Sequence, residues 1–218
     1  MVVLSLKEPP REKSISKSFD QIKEGLSYLL KHRAIWNTII IFAIMGATCD
    51  VLFNFYQPVL KVSGIPVIYF GIVYVFVNIL SFFGADLYLK IKSKIDWKSI
   101  MVIYLVTAFI SSLCFGTQNA ALVLLAILFL SVSFGSQFIY ISNIIHQIVP
   151  SSHRATTISI NSQAYMLSFL ICMNLVSFCT DRSSIFIGML LNAFIILSAL
   201  SAFLALNYKK SPVVVQAE

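Results

Sequence analysis

Six long apolar runs, separated by short polar breaks, fill the chain from Ala34 to Asn207. They cover Ala34 to Pro58, Gly64 to Leu89, Trp97 to Gly116, Asn119 to Val149, Arg154 to Thr180 and Arg182 to Asn207. A helix needs about 20 mainly apolar residues to cross the hydrocarbon of a bilayer, and each run supplies that length. Unpaired backbone polar groups are too costly in lipid, so runs of this length must close their hydrogen bonds internally as helices. The pattern predicts an all-α membrane protein with six transmembrane helices. Composition agrees: 11% of the 218 residues are charged and the mean hydropathy is +0.87, against about a quarter charged in an ordinary soluble domain.

The breaks carry turn and capping chemistry, in Ser63-Gly64-Ile65-Pro66, Gly116-Thr117-Gln118-Asn119, Pro150-Ser151-Ser152 and Asp181-Arg182-Ser183. Three regions follow: a cytoplasmic linker with an amphipathic helix over 1–33, the six-helix bundle over 34–207 and a cytoplasmic tail over 208–218. Within the first, a proline-containing stretch from Lys7 to Lys17 precedes a helical pattern of Phe19, Ile22, Leu26, Leu29 and Leu30, with Ser18 and Gln21 spaced as a capping box. Such a helix either lies on the membrane surface or packs on its own bundle. Before it, Val2 to Leu6 followed by Lys7 reads as the tail of a span that begins elsewhere.

Sixteen Lys and Arg against nine Asp and Glu give a net charge of +7, which by itself would suit a nucleic-acid partner. Their positions say otherwise. With six spans, fourteen of the sixteen fall on one side, before the first span, around Lys90 to Lys98, at Arg154 and at Lys209 and Lys210, and only Lys61 and Arg182 fall opposite. That asymmetry is how a bilayer protein fixes its orientation. It predicts both termini in the cytoplasm, an inner or plasma membrane location and no nucleic-acid partner. The first residues do not read as a cleavable secretory signal, since no charged region leads into an apolar stretch with a small-residue cleavage site. Cys49, Cys114, Cys172 and Cys179 all lie inside apolar runs without a CxxC pair, so they imply neither a disulfide framework nor a zinc site.

Polar residues inside spans are where function concentrates. At helical spacing the first span aligns Ala43, Gly46, Ala47, Asp50, Asn54 and Gln57. The second aligns Gly71, Tyr74, Asn78, Ser81 and Ala85, the fourth Ser133, Gln137 and Tyr140, and the fifth Thr157, Asn161, Tyr165, Ser168 and Cys172. One such stripe reads as close helix packing; four with Asn and Gln at mid-depth read as a shared wet cavity. Asp50 is the one carboxylate deep in a span, at an insertion cost of roughly 2.5 to 3.5 kcal/mol. It is a candidate proton carrier or cation contact, or else a helix-to-helix hydrogen bond. His146 and His153 flank Pro150 with no carboxylate or thiol nearby, which does not make a metal site. No HExxH, paired intramembrane aspartates or phosphate-binding glycine loop occurs, so neither an enzyme nor a cofactor is implied.

The arrangement resembles the C-terminal six-helix half of a major facilitator superfamily transporter. The likeness rests on the basic linker, on Tyr56-Gln57-Pro58 leading to Gly64-Ile65-Pro66 and Tyr69-Phe70-Gly71, and on two loop motifs. Ala85-Asp86 with Lys90 and Lys92 is similar to the family's Gly-x-x-x-Asp-Arg-x-Gly-Arg loop, with Phe82, Leu87 and Leu89 departing from it. Pro150-x-x-x-Arg154-Ala155-Thr156 looks like the family's Pro-x-x-x-Arg-(Gly/Ala) start of the fifth helix of a half.

The resemblance implies half of a twelve-helix fold, built from two three-helix inverted repeats that rock around a central cavity. It implies a partner, either an N-terminal six-helix half or a second copy. The expected activity is secondary transport of a small molecule, as proton-coupled efflux (antiport) of a neutral or cationic amphiphile. No Lys or Arg sits at mid-depth for an anion, whereas Phe53, Phe55, Tyr56, Tyr74 and Tyr165 suit a neutral or cationic amphiphile, with cation-π contacts available. The expected substrate and proton pathway is Asp50, Asn54, Gln57, Tyr74, Asn78, Gln137, Asn161 and Tyr165. The expected cytoplasmic gate is Asp86, Lys90 and Arg154, with Asp86 paired to Arg154. The rival expectation is a non-transporting membrane module or a truncated transporter remnant.

Overall fold

The structure, a computed structural model, describes residues 15–208, with side chains for 23–206. The Val2 to Leu6 fragment, the proline-containing stretch up to residue 14 and the tail beyond Tyr208 lie outside the described residues, as do the side chains of Ser18, Phe19, Gln21 and Ile22; the first helix starts at Ile15, inside the stretch read as linker and three residues before the expected Ser18 cap. Seven helices follow in order: α1 (Ile15–Lys31), α2 (Arg33–Val62), α3 (Phe70–Ile91), α4 (Trp97–Thr117), α5 (Ala120–Ile148), α6 (Arg154–Arg182) and α7 (Ile185–Tyr208). The last six are each long and apolar enough to cross a membrane. A single 3-10 turn leads into α3 at Val67–Tyr69 and another into α6 at Ser151–His153.

Local chemistry sets the ends. α2 runs a turn past Pro58, because a proline that close to the C-terminus withdraws only one N–H from the ladder. The chain then stops at Gly64, whose φ of +86° closes a Schellman turn. There Gly64 N–H donates to Lys61 C=O at 3.2 Å and Ile65 N–H to Leu60 C=O at 3.0 Å. Asp96 caps α4 by accepting the Lys98 N–H, and Asn119 caps α5 by accepting those of Ala121 and Leu122.

In packing, α3 lies on α5, α2 on α6 and α4 on α7. Exchanging α2 with α5, α3 with α6 and α4 with α7 turns this pattern into itself. Successive crossings make α2 and α5 antiparallel, so the pattern is that of two inverted three-helix repeats, which residue-level comparison of the two halves does not show. α2 is the most enclosed span, with 67% of its most apolar window buried, while α3 and α6 have 11% each. The bundle therefore has two helices with whole faces to spare, one on each flank.

The α3–α5 contact is the tightest. A methyl group added at Gly84 would strike the Val132 carbonyl, and one at Gly135 would strike that of Ser81. Backbones meet this closely only where small residues face each other, and Ser81 Oγ uses the proximity to donate to Ser131 C=O at 3.1 Å.

Two buried polar knots pin the remaining helices. Asn192 of α7 donates to Ser112 Oγ at 3.3 Å and Thr48 C=O at 3.5 Å, joining α7, α4 and α2. Toward the lysine-rich end, Tyr104 O–H donates to Ser136 Oγ at 2.7 Å and Tyr140 O–H to Trp97 C=O at 2.9 Å. Tyr140 is fully buried, edge-on to Phe42, Tyr88 and Tyr104. The reading that grouped Tyr140 with Gln137 on a cavity face is thereby corrected. Gln137 is buried as well, against Gly46 of α2, while the turn of about 60° between the two side-chain directions sets Tyr140 among the Phe42, Tyr88 and Tyr104 rings.

α1 packs on the bundle through Leu29, which is fully buried, and Tyr28, whose ring stacks on His153 with centroids 4.5 Å apart. Leu26 and Leu30 remain exposed.

Candidate functional site

Asp50 sits close to the middle of α2, half-buried, on the side facing α6. There the Tyr165 hydroxyl of α6 donates to its carboxylate. One turn earlier on α2, Gly46 leaves the room this contact needs. A methyl at that position would stand 2.9 Å from Tyr165 Cδ2 and 3.0 Å from Gln137 Nε2. α2, α5 and α6 thus converge at Gly46, Asp50, Gln137 and Tyr165, four residues contributed by three of the polar stripes. A carboxylate at this depth is tolerable only with such a partner or with water.

An aromatic wall runs beside the carboxylate. Phe53 meets Phe134 with centroids 4.3 Å apart, Phe134 meets Phe138 edge-on at 5.9 Å, and Phe138 meets Tyr165 edge-on at 6.3 Å. Phe134 and Phe138 escaped the sequence reading, although their i, i+4 spacing is a signal that they share a face of α5. Phe55 and Tyr56, expected among the cation-binding aromatics, are instead core residues with 7% and 6% exposure. Asn54 and Gln57, on either side of them in sequence, are exposed.

The rest of the expected pathway divides. Asn54 Nδ2 donates to the Asp50 carbonyl at 2.8 Å, and Gln57 Nε2 to Tyr56 Oη at 2.9 Å, so both continue the α2 stripe. Asn161, one turn before Tyr165 on α6, has a buried Oδ1 with no hydrogen-bond partner among the described residues. Tyr74 and Asn78 do not join this cluster. They are exposed on α3, where Asn78 donates to the Tyr74 carbonyl at 2.7 Å, and α3 packs on α5.

At the lysine-rich end the expected Asp86–Arg154 pair does not form. Asp86 pairs with Lys90 at 2.5 Å, one turn along its own helix, while Arg154 Nε donates to the Val149 carbonyl at 2.9 Å. The reason is topological: α3 lies against α5 and α6 against α2, which sets the two helix ends on different flanks. The local i, i+4 partner is always within reach.

With this geometry in place, comparison with known proteins assigns the chain. The Major Facilitator Superfamily model matches residues 1–173. The chain belongs to the Major Facilitator Superfamily. No curated protein and no solved structure matches it. Major facilitator proteins are membrane transporters and not enzymes, so the bilayer and a small-molecule substrate come with membership. The six spans accord with a six-helix half of that fold.

Proposed function

We propose that this chain is the C-terminal half of a major facilitator transporter that exports a neutral or cationic amphiphile in exchange for protons, with Asp50 as the exchanging group. The observation that carries this reading is the Asp50 carboxylate held by Tyr165 at mid-depth beside Phe53, Phe134 and Phe138. A carboxylate next to aromatic faces attracts a hydrophobic cation twice, through its charge and through the ring quadrupoles. Proton and cation compete for the one negative group, and competition of that kind is what couples their movement. Gln137, Asn161, Asn54 and Gln57 offer hydrogen bonds along the approach, and Tyr74 and Asn78 contribute from the other flank. Asp86, Lys90 and Arg154 belong to the cytoplasmic gate, Arg154 through the α5–α6 turn that it braces.

The lysine-rich end faces the cytoplasm of the inner or plasma membrane, by the charge asymmetry. The faces of α3 and α6, the two least enclosed spans, receive the partner, an N-terminal six-helix half or a second copy.

Tetraphenylphosphonium, a rigid hydrophobic cation, tests the site. Membranes containing the full protein bind it saturably. Asp50→Asn weakens that binding about tenfold or more, equivalent to about 1.4 kcal/mol, and Phe138→Ala weakens it several-fold. Uptake no greater than in membranes lacking the protein contradicts the reading.

A further inference from the structure

At the lysine-rich end, the α3–α4 connection and the last turns of α5 enclose a cavity of about 310 Å³. Lys92, Lys94 and Asp96 line it from the connection, Asn143 and Gln147 from α5. Tyr88 and Ile144 are among its other lining residues.

The charges around it are sorted. Lys90 is neutralised by Asp86 at 2.5 Å, and Lys98 Nζ lies 5.9 Å from the Trp97 ring centroid. The Asp96 carboxylate is engaged with the first turn of α4, accepting the Lys98 N–H at 3.3 Å. Lys92 and Lys94, both exposed, have no acidic partner among the described residues. Asn143 donates one N–H to Tyr88 Oη at 3.0 Å, which leaves its carbonyl and its second N–H open, and the Gln147 amide is unengaged among the described residues. The cavity therefore presents two ammonium groups against the one Asp96 carboxylate, a net positive lining, opposite amide groups that can accept and donate. A phosphate ester matches that set: its oxygens take the lysines and its hydroxyls take the amides. The position suits it too, because basic pockets between helix ends on the cytoplasmic side are where anionic headgroups are held. Next to it, Leu87 and Leu89 are exposed on α3, an apolar surface for acyl chains.

We propose that this cavity binds a hydroxyl-bearing phosphate ester, and that the bound group ties the α3–α4 connection to the end of α5. The ester arrives either as the headgroup of phosphatidylglycerol or as a free phosphate such as glycerol 3-phosphate. The proposal is independent of what Asp50 does.

The test uses the full protein in lipid nanodiscs. Replacing phosphatidylcholine by a phosphatidylglycerol mixture raises the thermal midpoint by about 3 °C or more, on the scale that a bound ligand produces in a chain of this size. Lys92→Gln with Lys94→Gln removes the shift and Lys92→Arg with Lys94→Arg keeps it. Lys31→Gln with Arg33→Gln, which changes net charge equally at the same end, also keeps it. Glycerol 3-phosphate added to phosphatidylcholine discs separates the sources: a shift there means a free ester, and a shift with phosphatidylglycerol alone means a lipid headgroup. The proposal is overturned if neither moves the wild-type midpoint, or if the double glutamine variant responds as the wild type does.

Discussion

Tyr165 of α6 donates its phenolic hydrogen to the carboxylate of Asp50 on α2, joining two parallel helices that pack against each other. The bond gives one oxygen of the half-buried Asp50 carboxylate a donor. Everything proposed about transport turns on this pair.

Tyr165→Phe removes the hydroxyl and keeps the ring against Gly46. Interhelical bonds in membrane bundles average about 0.6 kcal/mol, so the midpoint of thermal unfolding in detergent falls slightly. Asp50→Ala removes the acceptor. In a double-mutant cycle Tyr165→Phe costs almost nothing in the Asp50→Ala background; fully additive losses would mean that the two side chains do not interact.

Gly84→Ala forces a methyl into the Val132 carbonyl, with a cost of about 1 to 3 kcal/mol for an overpacked contact. Gly71→Ala, on the same helix where added bulk meets nothing, is neutral or mildly stabilising. Measured side by side as thermal midpoints or folded yield, equal behaviour of the two variants would contradict the close α3–α5 crossing.

Orientation is read by labelling single cysteines in intact cells. A membrane-impermeant maleimide reaches Lys61→Cys, at the end of α2, and spares Lys92→Cys, after α3. The reverse pattern would invert the topology and move the gate and the phosphate cavity to the outer face.

The spans were legible in the sequence because apolar length is a local property, and so was the stop at Gly64, where Ser-Gly-Ile-Pro spells a helix end. Angular position around a helix was legible only to within a stripe. It placed Gly46, Asp50, Gln137 and Tyr165 on polar faces that do meet, yet it also put Tyr140 on a cavity face and counted Phe55 and Tyr56 as ligand aromatics, when the neighbouring helices bury all three. The Asp86–Arg154 expectation failed for the same reason, since which helices lie side by side is not written in any one span. Asn192 and Ser112 went unnoticed because single polar residues in otherwise bland spans give no stripe.

The central claim is that Asp50 exchanges a proton for a cation, and the most direct measurement is gradient-driven transport by the assembled transporter in proteoliposomes. With an imposed pH gradient, the wild type moves tetraphenylphosphonium against its own gradient. Asp50→Asn is expected to lose that uphill movement, falling at least about a hundredfold, which corresponds to about 2.7 kcal/mol, while Tyr165→Phe retains part of it. If Asp50→Asn pumps tetraphenylphosphonium uphill at the wild-type rate, the coupling assignment is wrong and the carboxylate is only a helix-to-helix tie.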